Sequence, residues 1–431
     1  MKYSPLARSI SLGTLAVALS LPIAAQAAFI EDSKASLELR NFYMNRDFRD
    51  VPSTSQSKAE EWAQGFLLKY ESGFTEGTVG VGVDAYGFTG FKLDSGGGTD
   101  GTGLLLPKDN KGKVPSSYGE LGATFKAKLS KSTLKAGTLM PKLPTVSSGD
   151  GRLIPQTFTG MHINSQEISN LTADIGRLGR MNQRNSTDNA PIVLNSFSGN
   201  QSKRNNKSTR SLAHQKVTSK FDFAGVNYTW GDSGLSTGYN FANFDGAYKQ
   251  HIVNGVYTLQ LDDNQSLKAD LRYAKTSEDA KSGIDNNAIS GMLTYKLGYN
   301  SFGLGYQKMS GDTGYAYIEL VDPFLTNYVQ IRDFAATDEK SWQARYDYNF
   351  AGLGMPGLSL MTRYIKGSNI YMGANQSRGN EWERDTDIAY VFQDGPLKNL
   401  GVKWRNATLR SDISGKMDEN RLIVSYTIPL L

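Results

Sequence analysis

The chain has 431 residues, and its 47 Lys and Arg against 42 Asp and Glu give a formal charge of +5, which is too small to predict nucleic-acid binding. It contains no cysteine, which excludes disulfides, thiol catalysis and cysteine metal sites. Its 45 Gly, 22 Tyr and 19 Phe, with only 39% hydrophobic residues, favour short alternating strands over helices.

The amino terminus has the pattern of an export signal. Lys2 and Arg8 precede an apolar run, and Ala-Gln-Ala at 25–27 has the small-x-small form of a cleavage site. We therefore predict a signal peptide over residues 1–27 and a mature chain over 28–431. Because the mature chain has no window of about 18 apolar residues, it predicts no transmembrane helix. The exported protein is then periplasmic, secreted or in the outer membrane.

Segments in which apolar and polar residues alternate follow one another to the end of the mature chain. Tight turns rich in Gly, Asp and Asn and longer polar loops connect them in alternation, as in a transmembrane β-barrel. The predicted strands cover residues 34–46, 61–71, 77–89, 117–129, 131–140, 159–168, 170–181, 219–231, 234–243, 247–261, 265–276, 286–298, 300–309, 340–350, 357–367, 382–393, 398–410 and 419–431. Since their number is even, both ends lie at one rim, and we predict an all-β fold, an 18-stranded antiparallel transmembrane β-barrel.

Aromatic residues share the parity of aliphatic neighbours on these strands, and many lie near strand ends. This is typical of the aromatic girdles of a lipid-facing surface. The set comprises Trp342, Tyr346, Tyr348, Phe350, Tyr364, Tyr390, Phe392, Trp404 and Tyr426. A large soluble β-sandwich is the alternative, but it would leave the long loops and the outward aromatics unexplained.

The opposite parity carries cations. In the stretch NLGVKWRNATL, Lys403 and Arg405 point away from Val402 and Trp404, and therefore into the lumen. By the same rule, four further side chains point into the lumen, those of Arg40, Arg345, Arg363 and Arg421. At roughly 2.5 Å of height per residue, five of the six lie about 12 to 18 Å above the short-turn rim and Arg421 about 25 Å. Such a staircase would pass an anion from one cation to the next. Alternatively, these cations hydrate the channel and pair with Asp347, Asp385 and Asp387.

Two loops are candidates for narrowing the lumen. Residues 141–158 contain three prolines and Arg152, and we expect this stiff loop to fold inward. Residues 310–340 mix apolar, tyrosyl and acidic groups and could place Asp322 or Asp333 opposite the basic wall. Either loop could instead only cover the mouth.

The polar, basic loop over residues 182–216 is read as mobile and exposed. It either contacts lipopolysaccharide phosphates or stays unliganded.

Catalytic and metal patterns are missing from the sequence. The three histidines, His162, His214 and His251, fall on separate segments, and no metal-ligand spacing accompanies them. We therefore expect no enzyme activity, no metal site and no cofactor.

Five separated segments resemble the OprD-type outer-membrane porins of pseudomonads, which are substrate-specific channels for small carboxylates. They are AFIEDSKASLELRNFYMNRDFR (28–49), EWAQGFLLKYESGFT (61–75), GRLIPQTFTG (151–160), EKSWQARYDYNF (339–350) and ENRLIVSYTIPLL (419–431). The resemblance implies an 18-stranded barrel with a basic ladder that includes Lys403, Arg405 and Arg421. It also implies a constriction formed by the third and seventh loops, of which Arg152 and Asp333 look like the charged members.

The expected function is passive, selective diffusion of small carboxylate nutrients across the outer membrane. Some members of the family prefer basic amino acids, and others prefer aromatic or small organic carboxylates. This sequence does not indicate which of these solutes the protein prefers. The expected partners are carboxylate solutes, outer-membrane lipid and lipopolysaccharide, and we expect no nucleic acid. The protein is expected to be a monomer or a homotrimer. The alternative is an outer-membrane hydrolase or adhesin that uses the barrel as an anchor.

Overall fold

The computed structural model describes residues 29–195, 202–203 and 216–431. It contains 18 long strands. They are β1 (Lys34–Arg49), β2 (Lys58–Glu71), β3 (Val79–Asp94), β4 (Ser117–Leu129), β5 (Ser132–Leu139), β6 (Thr157–Ser165), β7 (Leu171–Asn182), β8 (Phe221–Thr229), β9 (Leu235–Phe244), β10 (Tyr248–Asp262), β11 (Gln265–Glu278), β12 (Asn286–Leu297), β13 (Asn300–Gly311), β14 (Lys340–Asn349), β15 (Leu358–Ile370), β16 (Gly379–Val391), β17 (Gly401–Ser411) and β18 (Gly415–Pro429).

Each long strand pairs antiparallel with its neighbour in sequence, and β1 pairs with β18 to close the barrel. The closing register runs from Ser36 opposite Pro429 to Arg49 opposite Lys416. The predicted 18-stranded antiparallel barrel is thus confirmed. Closure leaves no unpaired sheet edge, which is what a sheet needs when lipid offers no hydrogen-bond partner. The predicted signal peptide at 1–27 lies outside the described residues.

Short strands and a 3₁₀ turn lie in the connections between the long strands. Lys142–Leu143 pairs with Val146–Ser147, Asn189–Ala190 extends the edge of β7, and Ile192–Val193 pairs with Val217–Thr218. A 3₁₀ turn at Phe350–Leu353 connects β14 to β15. Within the described part of the chain, no helix is long and apolar enough to cross a membrane.

Connections at the rim that holds the chain ends are short. Residues 263–264 join β10 to β11, and 298–299 join β12 to β13, where Gly298 has a φ of 55°. The opposite rim carries the loops 95–116, 140–156 and 312–339. Two connections at that rim are nevertheless tight, at 245–247 and 412–414. The predicted alternation of short turns and long loops therefore holds for most of the barrel.

Long loops fill much of the interior. Leu153 and Ile154 of the loop 140–156 are buried against Phe42 of β1 and Phe88 of β3. Gly90 permits this approach, because a Cβ at this position would lie 2.8 Å from Cδ2 of Leu153. Loop 312–339 packs in a second apolar cluster around Ile318 and Val321, to which Val146 of the loop 140–156 also belongs. The lumen is therefore narrowed by packed loops.

The outer surface of the barrel is apolar and aromatic. Leu121 is 90% exposed, Leu304 67% and Leu271 64%, values that suit contact with lipid chains. The ring centroid of Tyr364 lies 5.6 Å from that of Trp342 and 5.7 Å from that of Trp382, as expected of an aromatic girdle.

We predict that Leu304→Arg lowers the free energy of unfolding from lipid vesicles by about 2–4 kcal/mol, because it places a charge on the lipid-facing surface. The control is Ser301→Arg on the same strand, which lines an interior cavity and should cost far less. Denaturant titration of the two variants in vesicles measures the difference, and equal losses would contradict the assignment of faces.

Candidate functional site

The six cations predicted to face the lumen lie on β1 and on β14 to β18, and each forms an ion pair. The pairs are Arg40 with Glu38 and Asp150 (2.8 and 2.7 Å), Arg345 with Asp347 (2.7 Å), Arg363 with Asp385 (2.7 Å), Lys403 and Arg405 with Asp387 (3.1 and 3.0 Å), and Arg421 with Glu419 (2.6 Å). The pairing with Asp347, Asp385 and Asp387 that the sequence left open is thus present in the structure.

Two of these acids are each shared by two cations. Asp387 lies within ion-pair distance of both Lys403 and Arg405. Glu419 likewise accepts from Arg421 and from Arg46, which lies 2.7 Å away. A single carboxylate balances only one positive charge, so both groups retain a positive excess. Arg46 was not identified from the sequence, although it shares the parity of Arg40 on β1.

The six cations differ strongly in exposure, which decides what a solute could touch. The Lys403 and Arg345 side chains are 43% and 40% exposed, and the Arg405 side chain is 20% exposed. The Arg421 side chain is only 3% exposed. Lys403 and Arg345 line a cavity of about 700 Å³ together with residues of the tight turns, such as Tyr299. This cavity therefore lies at the short-turn end of the basic wall.

Arg40 is tied to the first inward loop rather than open to the lumen. Its guanidinium donates to the Asp150 carboxylate, to the carbonyl of Arg152 at 2.9 Å and to that of Leu153 at 3.4 Å. Arg421 donates to the carbonyl of Gly151 in the same loop at 3.5 Å. The loop 140–156 is therefore held against the wall by two of the six cations.

Arg152, expected as a charge of the constriction, is itself buried. It donates to the carbonyls of Thr102 and Gly151. Burial and the nearby positive charges, above all Arg421, hold the pKa of its guanidinium well below the ordinary value. Arg152 is therefore enclosed among the loops and is not an exposed charge of the lumen.

The second inward loop is docked on a row of acids along β16. The backbone N–H groups of Ile331 and Arg332 donate to the Glu383 carboxylate at 2.8 and 2.9 Å, and the Arg332 side chain pairs with Glu381 at 2.9 Å. Arg421 donates to the carbonyl of Gln330 at 3.0 Å. Sequence reasoning missed this docking, although the alternating acids of EWERDTD were visible as one inward face.

The two acids predicted for this loop have different places. The hydroxyl of Tyr328 donates to Asp322 at 3.0 Å, and the N–H of Asp322 donates to the carbonyl of Ser147, so Asp322 links the two loops. Asp333 is only 5% exposed and accepts from Tyr317 of its own loop at 2.7 Å. The Asp333 carboxylate is therefore enclosed by its own loop, and the placement of Asp322 or Asp333 opposite the basic wall stays a prediction.

The basic loop 182–216 is described only in part, and that part is not fully exposed as expected. Ile192 and Leu194 are buried in the apolar cluster around Ile318. The Nε atom of Arg184 is also buried, and no hydrogen bond reaches it from the described residues. This described part packs inward because Ile192 and Leu194 are covered by loop 312–339.

Histidines do not converge on a catalytic group in the described residues. His162 contacts Asp174 at 2.8 Å, and His251 contacts the Tyr239 hydroxyl at 2.7 Å, each on its own part of the barrel. His214 lies outside the described residues. In the described ranges there is also no cluster of three or more His, Asp or Glu that could hold a metal ion.

A closed barrel with a lipid-facing exterior and a charged lumen narrowed by inward loops defines an outer-membrane protein of the porin class. The chain belongs to the OprD family of outer membrane porins, whose family model matches residues 27–430. The predicted family and outer-membrane location are thereby confirmed.

Similar proteins come from pseudomonads. The chain is 56% identical to OpdQ of Pseudomonas aeruginosa, whose crystal structure matches with a TM-score of 0.83 over 94% of this chain and 100% of that one. It is 38% identical to the porin-like protein GalP of Pseudomonas putida over 97% of each chain. OpdK of Pseudomonas aeruginosa, solved with vanillate, is 36% identical and matches with a TM-score of 0.84 over 93% of this chain and 100% of that one.

We predict that Glu383→Ala releases the loop 312–339 from β16, because two backbone donors lose their acceptor and each such bond is worth about 0.5–1.5 kcal/mol. Hydrogen exchange of peptides that cover Ile331 and Arg332 should speed up by at least about tenfold. The control is Asp347→Ala, which removes a lumen carboxylate that pairs with Arg345. Equal protection in wild type and Glu383→Ala would contradict the docking role.

We also predict a pH dependence of the contact between the two loops. Burial raises the pKa of the Asp322 carboxyl above its ordinary value. A raised folded-state pKa stabilises the contact fully below the unfolded value of about 3.9, and this stability is lost as pH rises through the folded value. Protection of peptides at 318–328, corrected for intrinsic exchange, should therefore fall as pH rises from about 4. Asp322→Asn should remove this slope, and a slope that persists in the variant would assign it to another group.

Proposed function

We propose that the protein lets small carboxylate-bearing nutrients diffuse passively and selectively across the outer membrane along the cationic wall of its lumen. The observation that carries this proposal is the sharing of Asp387 by Lys403 and Arg405, both of which are partly exposed. The group holds one more positive than negative charge, so a solute carboxylate can bind there without displacing Asp387.

The binding strength at such a group suits transport. A unit pair at 4 Å is worth about 4 kcal/mol at an effective dielectric near 20, and about 1 kcal/mol in water. Asp387 competes with the solute carboxylate for the donors of Lys403 and Arg405. This competition lowers the net attraction of the solute toward the value in water. A solute is then held strongly enough to enter and weakly enough to leave.

The six cations take two roles in this proposal. Arg40 and Arg421 are bound to loop carbonyls and position the constriction. Lys403, Arg405 and Arg345 contact the solute, which leaves Arg405 for Lys403 and then enters the cavity lined by Arg345. Arg363, whose side chain is 11% exposed, adds positive potential between β14 and β16.

The relatives support the solute class. Vanillate, present in the OpdK structure, carries a carboxylate, and the proteins similar to this chain are described as porins. We infer that this chain is a channel and not an enzyme. Uptake of radiolabelled amino acids, benzoates and tricarboxylates by reconstituted protein would identify the preferred solute.

We predict that Arg405→Glu lowers uptake of the preferred carboxylate by at least about tenfold, which corresponds to roughly 1.4 kcal/mol. Asp387→Asn should act in the opposite direction, because it leaves both Lys403 and Arg405 without a competing acid. Single-channel recording should show a lower anion-to-cation permeability ratio for the first variant and a higher ratio for the second.

The matched control is Arg410→Glu, the same charge change on the same strand. Arg410 lies on the outward face, where it pairs with Asp418 at 2.8 Å, so uptake should stay near wild type. If Arg405→Glu and Asp387→Asn both transported like Arg410→Glu, the inward cations would serve hydration and barrel structure only.

A further inference from the structure

Five cations project outward from the barrel near its long-loop rim. We call them the outer collar: Lys275, Lys308, Lys340, Lys366 and Arg384. They lie on five of the six consecutive strands β11 to β16. Their outward direction follows from parity, since Lys308 alternates with buried Gln307 and Met309 and shares its face with the exposed Tyr306.

The outer collar has no carboxylate partner among the described residues. Within residues 29–195, 202–203 and 216–431, none of the five forms an ion pair, and the one side-chain hydrogen bond is a 3.5 Å contact from Arg384 to Thr408. Three outward cations elsewhere on the barrel do have carboxylate partners. Lys58 pairs with Glu60 at 2.8 Å, Arg177 with Asp222 at 2.5 Å and Lys416 with Asp50 at 2.6 Å.

The register of β13 and β14 makes the outer collar electrostatically unfavourable unless an anion binds to it. Lys308 lies directly opposite Lys340 in the pairing of β13 with β14. Like charges at opposite positions destabilise a strand pair, and neither lysine forms an ion pair with an acid in the described part of the chain. The structure therefore places two ammonium groups where a bridging anion would offset their repulsion.

The height of the outer collar points to a lipid headgroup. Lys366 has Trp342 and Trp382 as its cross-strand neighbours, and the Tyr364 ring lies between those two indoles. Such an aromatic girdle marks the boundary between lipid chains and headgroups. Long lysine stems can follow the apolar surface and present their charges just outside it. The outer collar thus lies at headgroup level on the side of the long loops.

We propose that the outer collar binds the phosphate groups of a lipopolysaccharide molecule on the outside of β11 to β16. Lys308 and Lys340 would bridge one phosphate, and Lys366 and Arg384 would hold a second along the same rim. This site is separate from the lumen and does not depend on the proposed transport.

The test is binding of fluorescently labelled lipopolysaccharide to the detergent-solubilised protein, with Lys308→Gln/Lys340→Gln/Lys366→Gln compared with wild type. Near a charged lipid surface each cation contributes enough that the triple variant should lose at least about tenfold in affinity. Lipopolysaccharide treated with phosphatase should bind wild type as weakly as the variant binds the intact lipid. The charge-retaining Lys308→Arg/Lys340→Arg/Lys366→Arg should keep the affinity.

The matched control is Lys58→Gln/Arg177→Gln/Lys416→Gln, which removes three outward cations that already have carboxylate partners. It should bind within about twofold of wild type, and both triple variants should keep wild-type conductance because the changes face away from the lumen. Equal binding of phosphatase-treated lipid, an equal loss in the control, or occupation of this face by a second copy of the chain would each overturn the proposal. If the Gln variant did not fold, the phosphatase comparison and the salt dependence on wild type alone would still decide.

Discussion

The inner structure of this barrel depends on one buried ion pair, that of Arg421 with Glu419. The Arg421 guanidinium donates to the carbonyl of Gly151 in one inward loop and to that of Gln330 in the other. Glu419 also accepts from Arg46 of the first strand. A buried charge is costly unless its hydrogen bonds are satisfied, and here loop carbonyls complete the set. The pair therefore fixes both loops at the junction of β18 and β1, where the barrel closes.

This arrangement divides the charged residues of the lumen between two tasks. Where a cation is covered by a loop, as Arg40 is, its donors are used by backbone carbonyls and it contributes only potential. Where a cation stays partly exposed, as Lys403 does, it shares an acid with a neighbour, so the pair of cations is not fully neutralised. In the transport that we propose, ion pairing along the wall does not oppose selection of anions, because the acids limit the attraction and leave its sign unchanged.

Much of the fold could be predicted from the sequence, because a strand with lipid on one side and polar groups on the other has period 2 in its residues. Leu304 and Tyr306 show the pattern, as do Lys403 and Arg405, and all 18 strands were found from it. The pairing of Arg345 with Asp347 could also be anticipated, since both lie on one face of one strand.

The docking of the loops could not be predicted in the same way. Arg421 and Gly151 are 270 residues apart in sequence, and nothing local in either segment specifies the contact. The inward turn of Ile192 and Leu194 depends on the loop at 312–339, and the enclosure of Asp333 depends on Tyr317. Periodicity reports the face on which a residue lies, whereas the position of a loop is set by packing and charge contacts between distant segments.

Strand β16 carries opposite charges on its two faces, and its neighbours β14 and β15 add cations to the outer one. Inside, Glu381, Glu383 and Asp385 of β16 offer acceptors to a loop and to Arg363; outside, Arg384 and the lysines of β14 and β15 have no acid in the described part of the chain. Alternation lets one strand present both patterns with no conflict in the backbone, because neighbouring side chains face different solvents. Inside, the loop and the cationic wall neutralise the acids. Outside, the outer collar finds no such acids among the described residues, which is why we assign its neutralisation to lipid phosphates.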